Sequence, residues 1–132
     1  MAFIVAVYNV IALGGGVTGH DTAAVLAHGM TFTMFSGDKW TITLSDVILL
    51  AALVLLFAEI VKSARGNSRE IGNHAFSMIV FVVALVEFIV VRGFSTSTFF
   101  LILAMCLFDV VAGYTIAIRA AEHDIGFAPK RE

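Results

Sequence analysis

Residues 96–118 read TSTFFLILAMCLFDVVAGYTIAI, a run in which Asp109 is the one charged side chain. The run is long enough to supply the ~20 residues that a helix needs to cross ~30 Å of hydrocarbon. At that depth a helix keeps all its backbone hydrogen bonds within the segment, which an open strand or loop cannot do. Two further stretches, 45–63 and 73–91, have the same character, and Ser45 or Asp46 is suited to cap the first of them. The pattern predicts an all-α integral membrane protein with three firm transmembrane helices, at 45–63, 73–91 and 96–118.

Composition agrees with that class. Of 132 residues, 60% are hydrophobic and 14% charged, and a soluble domain of this size needs more polar surface to cover its core. The net charge of −2 comes without a basic stripe, so nucleic acid is not an expected partner; the lipid bilayer is. Cys106, the single cysteine, lies inside an apolar run and reads as a small packing residue. Met1 to Val7 is apolar like a signal peptide but has no basic residues before it, so it reads as part of the mature chain.

Basic residues set the expected orientation. Lys62, Arg65 and Arg69 follow the first run, and Arg119, Lys130 and Arg131 follow the third; the other side receives Lys39 and Arg92. Six against two predicts a multi-pass cell-membrane protein with the 62–72 loop and the tail 119–132 in the cytoplasm.

Residues 1–44 form an N-terminal membrane element and outer loop within what reads as one membrane domain spanning 1–132. Ala2 to Leu13 is apolar but short, and Gly14-Gly15-Gly16 reads as a break or tight turn after it. This hydrophobic element is either a fourth short span or a re-entrant or interfacial helix. Thr31-Phe32-Thr33-Met34-Phe35 and Trp40-Thr41-Ile42-Thr43-Leu44 alternate with period two around Ser36-Gly37-Asp38-Lys39, which reads as a β-hairpin on the outer surface.

Carboxylates inside such runs are costly and need partners. Helical spacing puts Glu87 on a stripe with Asn73, Ser77, Val80, Ala84 and Val91. Glu59 shares a stripe with Ser45, Leu49, Ala52, Leu56 and Ser63, and Asp109 shares one with Ile102, Cys106, Gly113 and Ile116. Glu59, Glu87 and Asp109 are therefore the candidate site residues, expected on interior faces as a ladder at three depths. They form either a proton or cation relay or a set of helix contacts, with Lys62 near Glu59 and Arg92 near Glu87 as the local cations. Asp109 has no cation within a turn.

Other motifs carry less. Gly14, Gly16 and Gly19 spell G-x-G-x-x-G, but no βαβ unit surrounds them. His20, His28, His74 and His123 lack metal or haem spacing, so no cofactor and no metal are expected. Phe108-Asp109-Val110 resembles three letters of the small three-span subunit of respiratory complex I, with Val111 where a glutamate belongs, and implies nothing further. No nucleophile–base set appears, so the chain is not expected to be an enzyme. The expected role is a homo-oligomer or an accessory subunit of a larger membrane complex; a small proton- or cation-conducting transporter or channel is the alternative.

Overall fold

The computed structural model describes residues 1–18, 21–65 and 71–126, with side chains placed over 1–15, 21–64 and 75–119. In chain order the elements are helix α1 (Ala2–Thr18), short helix α2 (Thr22–Leu26), strands β1 (Gly29–Thr33) and β2 (Lys39–Thr43), and helices α3 (Leu44–Arg65), α4 (Ile71–Val90) and α5 (Ser97–Gly126). Gly19, His20, Arg69, Lys130 and Arg131 lie outside the described residues.

Two of these helices contain stretches long and apolar enough to cross a bilayer, Leu44–Ala64 and Ser97–Arg119. The apolar parts of α1 and α4, Ala2–Gly15 and Ala75–Val90, are shorter. Of the three expected crossings, the described residues show two of full length, plus two shorter apolar helices. Helix α5 is the axis of the bundle and packs along both α3 and α4. Its buried residues Phe99, Ile102, Cys106 and Asp109 recur every three or four positions, as one face of a helix must.

The start of α3 is built differently from the sequence reading. Thr43, not Ser45 or Asp46, is the cap: the Asp46 backbone N–H donates to Thr43 Oγ1 (3.2 Å), while the Thr43 backbone N–H donates back to Asp46 Oδ2 (2.8 Å). This reciprocal capping box satisfies two backbone donors at once. Ser45 is left to bond Thr98 Oγ1 on α5 (2.7 Å), tying the two helix starts together. Strand β2 therefore runs directly into α3.

The hairpin forms, with β1 beginning at Gly29 and pairing antiparallel to β2 through Met30↔Ile42, Thr31↔Thr41 and Phe32↔Trp40. Gly37, at φ 89°, closes the turn by donating its backbone N–H to the Met34 carbonyl (2.9 Å). At the hairpin base the Leu44 N–H donates to the His28 carbonyl (2.8 Å).

Helix α1 corrects a second expectation. The Gly14-Gly15-Gly16 triplet does not break the chain; the helix continues to Thr18. Each glycine costs about 1 kcal/mol against alanine in a helix without forbidding it. Gly15 and Ala12 are both buried, so this end of α1 packs through small residues. Further back, Tyr8 is fully buried and stacks with Phe94 and Phe99, their ring centroids 5.5 and 4.6 Å away. Its hydroxyl bonds Thr96 Oγ1 and donates to the Gly93 carbonyl (3.4 Å). Thr96 also caps α5, accepting from the Phe99 N–H (3.2 Å).

Gly93 adopts φ 86°, and a Cβ there would lie 2.8 Å from Thr22 Oγ1. Gly93→Ala is expected to destabilise the folded protein by about 1–3 kcal/mol, since the new side chain pays for the left-handed backbone and displaces α2. Gly14→Ala, at a helical position with nothing within 4 Å, is expected to stabilise it by about 0.5–1 kcal/mol. Thermal unfolding in detergent compares the two, and equal shifts would contradict this reading of the turn.

Candidate functional site

The three acids singled out from the sequence occupy two levels of the bundle. Asp109, on the buried face of α5, is only 8% exposed. Ser77 of α4 donates its hydroxyl to Asp109 Oδ2 at 2.8 Å. Glu59 of α3 is a neighbour of Asp109, near enough for the two carboxyl groups to interact.

Glu59 does not pair with Lys62. Its Oε1 forms an ion pair with the Met1 amine at the start of α1, the single ion pair among the described residues. The first turn of a helix carries a partial positive charge, so this carboxylate faces both the amine and the helix end. Glu59 Oε2 is buried and has no hydrogen-bond partner among the described residues. A cavity of about 130 Å³ adjoins the group, lined by Met1, Ala2, Phe3, Glu59, Phe76, Ser77 and Val80. Cys106, three residues before Asp109 on the same face, feels the charges of the Met1 amine, Glu59 and Asp109.

Glu87 belongs to the other level. Asn9 of α1 donates its side-chain amide to Glu87 Oε2 (3.0 Å) and to the Val5 carbonyl one turn earlier (3.0 Å). Arg92 makes no ion pair with it. Both Asn9 and Glu87 are half-buried. They lie at one end of a groove of about 370 Å³ between α1 and α4, lined by Ala2, Val5, Ala6, Ile79, Val80 and Val83 besides the pair itself.

Helix α1 runs beside α4 in the same direction, with Met1 level with Ser77 and Asn9 level with Glu87. Ser77 and Glu87 are ten residues apart, about 15 Å along the helix. Between them the inward stripe carries Val80 and Ala84, which have no polar side-chain atom. Asp109 and Glu59 are thus brought together, and Glu87 stands apart from both.

Sequence spacing did not identify the partners Met1, Tyr8 and Asn9. Asn9 offered one signal, as the single amide within the apolar run Ala2–Leu13. The Met1 amine offered none, because pairing with Glu59 depends on where α1 docks. Among the described residues no group of three or more histidine, cysteine or acidic side chains could hold a metal ion. No known protein family, curated protein or solved structure matches the chain.

Ser77→Ala is expected to cost about 1–3 kcal/mol of stability, because Asp109 stays buried but loses its hydroxyl donor. In an Asp109→Ala background the same substitution should cost much less. Denaturant unfolding of the four proteins in detergent measures the coupling. Equal costs in both backgrounds would show that the two side chains do not interact.

Proposed function

We propose that this chain is a multi-pass membrane protein acting as a subunit of a membrane assembly, either as a homo-oligomer or beside a larger partner, and not as an enzyme. Hydrocarbon is the solvent that fits its outer surface. Phe57, Ile79, Ile89 and Phe108 are each more than half exposed, and only 17% of the Leu44–Ala64 stretch is buried against the rest of the chain. Contiguous apolar exposure on this scale is foreign to soluble monomers. On this reading α4 also crosses the bilayer, with α1 beside it from the Ser77 level to the Glu87 level. The excess of Lys and Arg beyond α3 and α5 supports a cytoplasmic 62–72 loop and tail.

The observation that carries the assembly reading is the Glu87–Asn9 pair at the open α1/α4 groove. A carboxylate facing acyl chains costs about 3 kcal/mol or more, depending on depth and scale. Another protein helix laid in the groove removes that exposure. Ala2, Ala6, Val80 and Val83 are small enough to let its backbone approach, as membrane helix contacts require.

A photo-crosslinking residue placed at Val83, inside the groove, is expected to capture a second copy or a partner as a discrete band in native membranes. The same residue at exposed Leu53 on α3 should not. Native mass spectrometry from mild detergent then gives the stoichiometry. A stable monomer with no product at Val83 would overturn the proposal.

A second reading rests on Glu59 and Asp109, two neighbouring carboxyl groups beside a cavity, an arrangement that suits proton or cation transfer. Under it, vesicles containing the protein dissipate a pH gradient faster than empty ones, and Asp109→Asn abolishes the difference. Rates equal to empty vesicles for both proteins would remove this reading.

A further inference from the structure

The β1–β2 hairpin is two-faced in its paired register. Met30↔Ile42 and Phe32↔Trp40 face each other across the strands, and with period-two alternation all four side chains share one side. Gly29, Thr31, Thr33, Lys39, Thr41 and Thr43 occupy the other. Thr31 Oγ1 and Thr41 Oγ1 bond each other there at 2.8 Å. The protein itself covers little of either side: Met30 is 73% exposed, Trp40 is 53% exposed, and Phe35 at the turn is fully exposed. A free two-stranded hairpin is marginal in water, so the apolar side has to meet something.

We propose that the hairpin lies in the headgroup–acyl boundary of the outer leaflet, with Met30, Phe32, Trp40 and Ile42 turned into lipid and the threonine side turned to water. This rests on the membrane reading above. The first argument is position. The Thr43–Asp46 capping box and the Leu44–His28 bond fix the hairpin base to the first turn of α3, where an apolar stretch begins. Val47 and Leu50, in the first turns of α3, are also exposed apolar residues. The hairpin therefore starts at the edge of hydrocarbon, and its strands reach only about 17 Å from it.

The second argument is chemistry. The apolar side carries no charge, and its one polar side-chain atom is the Trp40 indole N–H. An aromatic ring with a single donor is the group that settles at a membrane–water interface. Residues 29–43 hold one aspartate and one lysine, so the hairpin is neutral and has no charge pattern to select a charged partner. A planar interface offers hydrocarbon to one face and water to the other. The segregation of this hairpin matches that geometry.

Trp40 is the only tryptophan, so its fluorescence reports this face alone. In phosphatidylcholine vesicles, lipids brominated near the headgroup end of the acyl chain should quench it about twofold or more beyond lipids brominated near the methyl end, with little quenching by aqueous iodide. Met30→Ser with Phe32→Ser should raise iodide quenching and shift emission to the red, while Thr31→Val should do neither. Strong iodide quenching in the unmodified protein, without bromolipid quenching, would overturn the proposal. Insensitivity to both quenchers would also overturn it and would point to a protein cover. Alkaline carbonate extraction of native membranes separates the two layers of the argument. Release of the protein would defeat the membrane reading itself, whereas retention with an iodide-quenched Trp40 defeats only the hairpin placement.

Discussion

A polar group inside an apolar bundle must find its partner within that bundle, and here α1 supplies most of the partners. The Met1 amine meets Glu59, Asn9 meets Glu87, and Tyr8 meets Thr96 and Gly93. These contacts set how far α1 is inserted and how it is rotated. Sliding it by one turn, about 5.4 Å, would strand all of them at once. Apolar packing alone specifies register weakly, because one valine or alanine fits beside α4 much as the next does. The polar contacts make one position better than its neighbours, at a cost several kcal/mol lower than leaving buried charges unpaired.

This division explains what could be read from the amino-acid order. The helices around 45–63, 73–91 and 96–118 and the hairpin are local, since hydropathy and period-two alternation act over neighbouring residues. So are the inward faces: Ala52 and Leu56 on α3, Ala84 on α4, and Cys106 and Asp109 on α5 are buried in the structure as their spacing implied. The pairing of the acids is not local. Lys62 stands one turn from Glu59 and was the natural candidate, yet an amine fifty-eight residues away holds that carboxylate. Arg92 was the candidate for Glu87, and Asn9 of another helix takes the position.

The glycine triplet and the cap of α3 show the same limit at smaller scale. Glycine propensity argued for a break at Gly14-Gly15-Gly16, but buried Gly15 beside buried Ala12 gains from close packing what the helix loses locally. Ser45 and Asp46 looked like caps by residue type. The choice fell to Thr43 because the hairpin delivers it in extended geometry at the helix mouth, which frees Ser45 to reach Thr98. In each case tertiary placement decided between options that local preference left close together.

The two-level arrangement also separates the roles open to the acids. A proton passes between groups that touch directly or through one water, roughly 3 Å at a step. Glu59 and Asp109 are neighbours, but the acid on α4, Glu87, is about 15 Å beyond the Ser77 level, past Val80 and Ala84. Among the described residues the three carboxyls therefore group as an inner pair and a separate outer acid. The inner pair is held by the Met1 amine on Glu59 and the Ser77 hydroxyl on Asp109. The outer acid is held by an amide that cannot neutralise it and opens onto a groove. A carboxyl group at an opening between helices directs attention outward, to whatever lies against α1 and α4.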